Sequence, residues 1–185
     1  MNANAAPSGA DLLDAWLARE REVRAGFERG VGAGFTQIQD VAHLSGLQVM
    51  QAMLRGELPH ARIGKTLDFL PIDISQGRAV FQDRPGPDHT NPMGGIQGGW
   101  YSTLLDSALG CAVHTMLPAG RGYTTAELSV NIVKAIGPKV SRVRAEGTVL
   151  HCGRQLATAE GRLFGPDGTL YAHATTTCLV FELAR

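Results

Sequence analysis

From Trp100 to Leu117 the chain carries a single charged side chain, the carboxylate of Asp106. Ahead of it stands Asn91-Pro-Met-Gly-Gly-Ile-Gln-Gly-Gly-Trp100, a glycine-rich loop that leads into a helix apolar on nearly every face. A helix of that kind belongs inside a protein. An acid in its middle must be paired, neutralised or used, because an unpaired buried charge is costly. Asp106 reads as used, and the rest of the chain has to wrap the helix that holds it.

Small residues show how the wrapping is done. Ala145 and Gly147 alternate with Arg144 and Glu146, and Ala157, Ala159 and Gly161 alternate with Thr158, Glu160 and Arg162. The first set points one way on its strands, the second the other. Small inward side chains let a sheet curl closely around a helix. Further strands are expected at Leu67–Ile74, Arg78–Arg84, Tyr123–Lys134 and Thr169–Phe181, with turns at Gln76-Gly77, His151–Gly153 and Gly165–Gly168. Two strands before the helix and three or four after it give an α+β antiparallel sheet rather than alternating βαβ units.

The N-terminal third reads differently. Residues 1 to about 9 are expected to be disordered, and Asp11–Phe27 is an amphipathic accessory helix with Leu12, Leu13, Trp16, Leu17, Val23 and Phe27 on its stripe. Its simplest use is packing against the domain or a partner subunit. A glycine-rich linker follows from Gly30 to Ser45, where Phe35 and Ile38 are candidates for docking. A second helix runs from Ser45 to the Gly56–Pro59 stop, with Leu47, Met50, Met53 and Leu54 at helical spacing. The expected division is a helical extension and linker over residues 1–59 and a single domain over 60–185.

Seventeen basic residues balance seventeen acidic ones, so no global charge favours nucleic acid or an anionic membrane. Cys111, Cys152 and Cys178 are scattered without metal-ligand spacing and read as reduced core residues of a cytoplasmic protein. The first residues show no basic stretch followed by an apolar one. The apolar run is too short, and too interrupted by Asp106, Gly110 and His114, to span a membrane.

With the elements in place, the chain resembles the hotdog fold, and within it the thioesterases of the phenylacetate-degradation (PaaI) type. The resemblance rests on Asn91-Pro-Met-Gly, Gly98-Gly99, Asp106-Ser-Ala-Leu-Gly-Cys-Ala-Val-His, Gly122 to Asn131, Val143-Arg-Ala-Glu-Gly, Ala157 to Leu163 and Leu170 to Cys178. It covers roughly residues 60 to 183. It implies an antiparallel sheet around one long central helix, here with additional N-terminal helices. It also implies hydrolysis of acyl-CoA thioesters, with sites at a dimer interface and coenzyme A as part of the substrate rather than a cofactor. One position departs: Gln97 stands where the family motif has histidine. Glutamine keeps hydrogen bonding but cannot carry a proton as imidazolium does, which leaves a non-catalytic acyl-CoA-binding protein as the alternative.

Thioester hydrolysis needs a group that activates water or attacks the carbonyl, and donors where the oxyanion develops. The backbone amides of Gly98 and Gly99, at a helix N-terminus and free of side chains, suit the second task. Asp106 suits the first, as general base or as nucleophile through a mixed anhydride. Its structural alternative is a hydrogen bond to Ser102, Thr103 or Ser107. Asn91 orients water or the thioester, or is simply a turn residue. Thr125 matches a position where the related enzymes carry a hydroxyl that helps place water; otherwise it is an ordinary strand threonine.

Spacing adds a constraint of its own. Gly98 and Asp106 lie eight residues apart, about 12 Å along one helix. One thioester carbon cannot sit within about 3 Å of both. If both act, they come from different subunits, in a homodimer or a dimer-of-dimers tetramer. Coenzyme A brings phosphates, for which Lys134, Arg142, Arg144 and Arg154 near strand ends are the candidate contacts. No metal site is expected, since no pair of histidines has ligand spacing. A dehydratase on this fold would want a histidine–acid pair in the loop and helix, which the sequence lacks.

Overall fold

The computed structural model describes residues 8–183. In chain order it contains α1 (Gly9–Arg29), α2 (Ile38–Val41), α3 (Gly46–Leu54), α4 (Arg62–Leu67), β1 (Leu70–Ser75), β2 (Arg78–Asp83), a 3-10 turn (Pro87–His89), α5 (Gly98–Thr115), β3 (Arg121–Ile132), β4 (Val143–Cys152), β5 (Leu156–Phe164) and β6 (Leu170–Glu182). The expected disorder of the N-terminus falls largely on residues 1–7, outside those described. Ser8 and Gly9 are ordered: Ser8 caps α1 and forms a reciprocal capping box with Asp11.

All six strands join one antiparallel sheet in the order β1-β2-β4-β5-β6-β3. It curls around α5, as the small inward residues predict. Ala145, Ala157 and Ala159 are fully buried against the helix. A methyl group on Gly147 would fall 2.5 Å from the carbonyl oxygen of Ala108, so the helix backbone lies in contact with the strand only because no side chain intervenes. Both anticipated glycine turns form, with Gly77 at φ 73° and Gly168 at φ 79°.

Three expectations need correction. Leu67 does not open a strand: residues 62–67 form α4, because Ile63 and Leu67 are spaced for a helix as well as for a strand, and Asp68 ends it in the left-handed region at φ 59°. His151 and Cys152 are not a turn but the end of β4, reached through a bulge after Val149. Phe35 and Ile38 do not dock; they are 74% and 48% exposed.

The accessory helix packs on its own sheet, on the face opposite α5. Phe81 and Ala145 point to α5, whereas their neighbours Gln82 and Arg144 point to α1. There Glu20, only 6% exposed, accepts from Gln82 Nε2 (2.8 Å), Arg142 Nε (2.6 Å) and Arg24 Nε (2.9 Å). Arg144 donates to Gln82 Oε1 at 2.8 Å and lies 4.3 Å above the Trp16 ring. Val23, Leu70 and Ile72 add a small apolar core beside this network. Burial by itself raises the Glu20 pKa, but the hydrogen bonds from Arg142, Arg24 and Gln82 outweigh it and hold the carboxyl below its usual range.

Candidate active site

Side chains along α5 divide into two stripes. Tyr101, Leu104, Leu105, Ala108, Leu109, Ala112 and Val113 are buried in the main core. Ser102, Thr103, Asp106, Ser107, Cys111 and His114, at spacings of three and four, are only half-buried. The expectation of a helix enclosed on every face is therefore corrected. The second stripe consists of small and weakly polar residues, which hydropathy alone does not separate from core, and Asp106 stands on it within reach of solvent.

None of the three hydroxyls weighed as partners for Asp106 is bonded to it, and the partner it has, Thr125, is one the sequence reads only as placing water or as an ordinary strand residue. Ser102, Thr103 and Ser107 each donate back to a helix carbonyl four residues earlier, Gly98, Gly99 and Thr103 respectively, at 3.1, 2.9 and 2.8 Å. Thr125, brought in by β3, donates its hydroxyl to Asp106 Oδ1 at 3.0 Å. Among the described residues no side chain or amide is bonded to Oδ2. Behind this pair sit Cys111 and Tyr123; burial pushes the Cys111 thiol up to about 12 and lifts the Tyr123 phenol well above its usual value, so both stay protonated.

At the other end of α5 the glycine motif is in place, with a difference. Gln97 is the N-cap, and its Oε1 accepts the amide hydrogen of Gly99. One of the two amides expected to face an oxyanion is thus closed by the side chain at the family's histidine position, while Gly98 N–H has no such cap. Asn91 Oδ1 accepts from the amides of Met93 (2.9 Å) and Gly95 (3.2 Å), folding the loop ahead of the helix. The turn role read for Asn91 is realised directly.

Beneath this end lies a residue the sequence reading passed over. Asp83, 2% exposed, accepts the indole N–H of Trp100 at 2.8 Å and the amide of Arg84. Burial raises its pKa from 3.8 to about 7, against the opposing pull of those two donors. Alternation along β2 carried the signal, since Asp83 shares a face with Ala79 and Phe81. His89 stacks on Trp100 with ring centroids 5.6 Å apart, so loop and helix start are tied together.

Of the cations expected to meet phosphates, Arg142 and Arg144 are turned onto α1 as described, and burial lowers the Arg144 pKa to about 10. Lys134 and Arg154 remain exposed. Among the described residues no three or more His, Cys, Asp or Glu side chains are grouped to hold a metal ion. No described helix is long and apolar enough to cross a membrane.

The loop, α5 and the strands behind it coincide with a known family. Residues 93–172 match the model of the Thioesterase superfamily. A structure from Ralstonia eutropha JMP134, a putative thioesterase and phenylacetic acid degradation-related protein, is 27% identical, with a TM-score of 0.63 over 70% of this chain and 97% of that one. The chain has the hotdog fold, and over residues 93–172 it is similar to the thioesterase superfamily. Its likeness is to the PaaI type, and thioester hydrolysis is the activity of the family. Two further structures share the hotdog fold. A thioesterase family protein from Silicibacter pomeroyi is 22% identical (TM-score 0.63; 75% of this chain, 98% of that one), and the E. coli PaaI protein is 16% identical (TM-score 0.62; 78% and 96%). A search of curated proteins gives no match.

Gly98 and Asp106 remain on one helix about 12 Å apart along its axis, as the spacing required. Beside them β3 is the end of the sheet, paired among the described residues with β6 alone, so within that set its other edge presents unbonded backbone groups over a twelve-residue strand. Met93, at the tip of the loop, is 93% exposed.

Proposed function

We propose that this hotdog thioesterase hydrolyses acyl-CoA thioesters, aryl or medium-chain alkanoyl, to the free acid and coenzyme A at a site completed by a second copy of the chain. The observation that carries the reading is the Thr125–Asp106 pair on the open stripe of α5. A carboxylate with one oxygen fixed by a hydroxyl and the other unbonded is poised to take a proton from water or to attack a carbonyl. As a base, Asp106 removes the proton of a water that adds to the thioester carbonyl. The oxyanion is met by the Gly98 amide, joined by that of Gly99 once Gln97 releases it. Collapse of the tetrahedral intermediate then expels the coenzyme A thiolate, which takes up the proton. As a nucleophile, Asp106 would form an anhydride that water hydrolyses to the same products.

The long open edge of β3, beside Asp106 and Thr125, supports a partner strand there, which would bring one copy's glycines toward the other's carboxylate. Lys134 and Arg154 are the cations left to meet the phosphates. The experiment is thiol release from a panel of aryl- and alkanoyl-CoA substrates by wild type and Asp106→Asn. Turnover by wild type with loss of at least about a hundredfold in the variant is expected; equal turnover by both would remove Asp106 from the chemistry. Mixing a Gly98→Pro chain with an Asp106→Asn chain should regain part of the activity in heterodimers. Absence of rescue after demonstrated subunit exchange would return the site to one copy.

A second reading is favoured by the Gln97–Gly99 contact. With one oxyanion donor capped and no imidazole in the motif, the protein would bind acyl-CoA without turning it over. It predicts ligand binding by the wild type and no thiol release.

A further inference from the structure

The loop ahead of α5 and the connection from β3 to β4 face each other across a cavity of about 450 Å3. Pro87 and Ile96 form part of one side; Ile136, Gly137, Pro138 and Val140 form the other. None of the residues lining it is charged. Its floor is fixed: Ile136, 8% exposed, donates its amide to Tyr101 Oη at 3.2 Å, and Tyr101 is anchored in the core on α5. Its rim is fixed by the Asn91 contacts that fold the 91–95 turn. Both the volume and the apolar lining suit a small-molecule pocket, where roughly 300–1,000 Å3 is usual.

Position relates the cavity to the chemistry. Ile96 is two residues from Gly98, so at about 3.8 Å per residue the cavity wall stands within about 8 Å of the uncapped amide. A thioester carbonyl held at that amide has two arms. One ends in coenzyme A, whose phosphates need cations, and none lines the cavity. The other is the acyl group. We infer that this cavity receives the acyl arm, and that the enzyme selects uncharged, apolar acyl groups of a length the cavity can bury. The inference rests on the thioesterase reading above and adds its specificity.

Each methylene moved from water into such a cavity raises kcat/KM by about fourfold until the space is filled. An acyl group ending in a carboxylate, such as succinyl or glutaryl, meets no cation there and falls by about a hundredfold or more against its uncharged counterpart.

Gly137 supplies the test. Gly137 is on the cavity lining, a Cβ there would have no heavy atom within 4 Å, and its φ is not positive, so Gly137→Leu adds a bulky side chain at the cavity without a clash or backbone strain. We would measure kcat/KM for straight-chain acyl-CoA substrates from acetyl to dodecanoyl, with phenylacetyl-CoA, on wild type, Gly137→Leu and Ile96→Ala. Wild type should climb with chain length and then level off. Gly137→Leu should hold acetyl-CoA within about twofold while losing at least about tenfold on the longer chains and on phenylacetyl-CoA, and Ile96→Ala should move the plateau to longer chains. A loss equal across the series would place a part common to all substrates, the pantetheine arm, in the cavity and overturn the inference. An unchanged profile would overturn it as well. If wild type releases no thiol from any substrate, the thioesterase reading fails on its own. Calorimetric binding of the same series to wild type and Gly137→Leu then decides the cavity by the same dependence on length.

Discussion

Thr125, near the start of β3, places its hydroxyl 3.0 Å from Asp106 Oδ1, in the middle of α5. The pair joins an edge strand to the central helix, and it fixes the rotation of the carboxylate while leaving Oδ2 unbonded among the described residues. A hydrogen bond to a charged group contributes about 1.5–3 kcal/mol. Thr125→Val should therefore lower kcat by about 10- to 100-fold with a smaller change in KM, and Thr125→Ser should restore most of it. Steady-state kinetics with the preferred acyl-CoA decides. Equal kcat for Thr125→Val and wild type would make the threonine an ordinary strand residue.

Gln97 makes the opposite kind of contact, one that has to open. Its Oε1 caps Gly99 N–H, and an N-cap of this sort is worth about 1 kcal/mol to a helix. Gln97→Ala should lower Tm by roughly 2–4 °C. It should also raise kcat/KM by about fivefold, because the substrate oxygen no longer displaces a bound side chain. A fall in kcat/KM would instead give Gln97 a direct hold on the thioester. Where wild type shows no turnover, Gln97→His is the substitution expected to produce it.

Most of the fold could be read from the chain because its strands carry their pattern locally. Ala157, Ala159, Gly161 and Leu163 alternate with polar neighbours, and the turns at Gly77 and Gly168 depend on a residue type that tolerates positive φ. The locations of Asp106 and the Gly98–Gly99 motif were legible for the same reason. What escaped depended on partners distant in sequence. Glu20 looks like a solvated helix residue until Arg142, 122 positions away, is placed against it. Arg142 and Arg144 look free to meet phosphate until α1 covers that face of the sheet. The half-exposure of Asp106 follows from which stripe of α5 the sheet leaves open, and hydropathy does not distinguish serine, cysteine and histidine at a surface from the same residues in a core.

The Glu20 network predicts how the extension is held. Removing the carboxylate leaves Arg142 facing a largely enclosed space, and breaking such a pair costs about 3 kcal/mol at the lower end of the usual range. Glu20→Ala should lower Tm by roughly 6–12 °C. The pH dependence has a definite sign. The folded pKa of Glu20 lies below its ordinary value of 4.5, so its contribution is full above that value and is lost as pH falls through the folded pKa. Thermal melts between pH 3 and 7 should show a steeper acid loss for wild type than for Glu20→Ala. Parallel curves would mean that Glu20 does not hold the helix by its charge.

Asp83 predicts a dependence of the opposite sign, at the end of α5 that carries the glycine motif. Its pKa rises from 3.8 unfolded to about 7 folded, so the native state binds the extra proton. Asp83 therefore costs no stability below pH 3.8, costs progressively more as pH rises to about 7, and costs a constant amount above that. Charges that act on it are Asp68, which raises the value, and Arg24, which lowers it. Asp83→Asn keeps a carbonyl oxygen for the Trp100 indole but loses the acceptor for the Arg84 amide, so near pH 4 the variant should be no more stable than wild type. Its Tm relative to wild type should then climb between pH 5 and 8 and level off, because only wild type has to ionise a buried group. A Tm difference that stays constant over that range would show that Asp83 is already charged in the folded protein, held by Trp100 and Arg84 more strongly than burial opposes it.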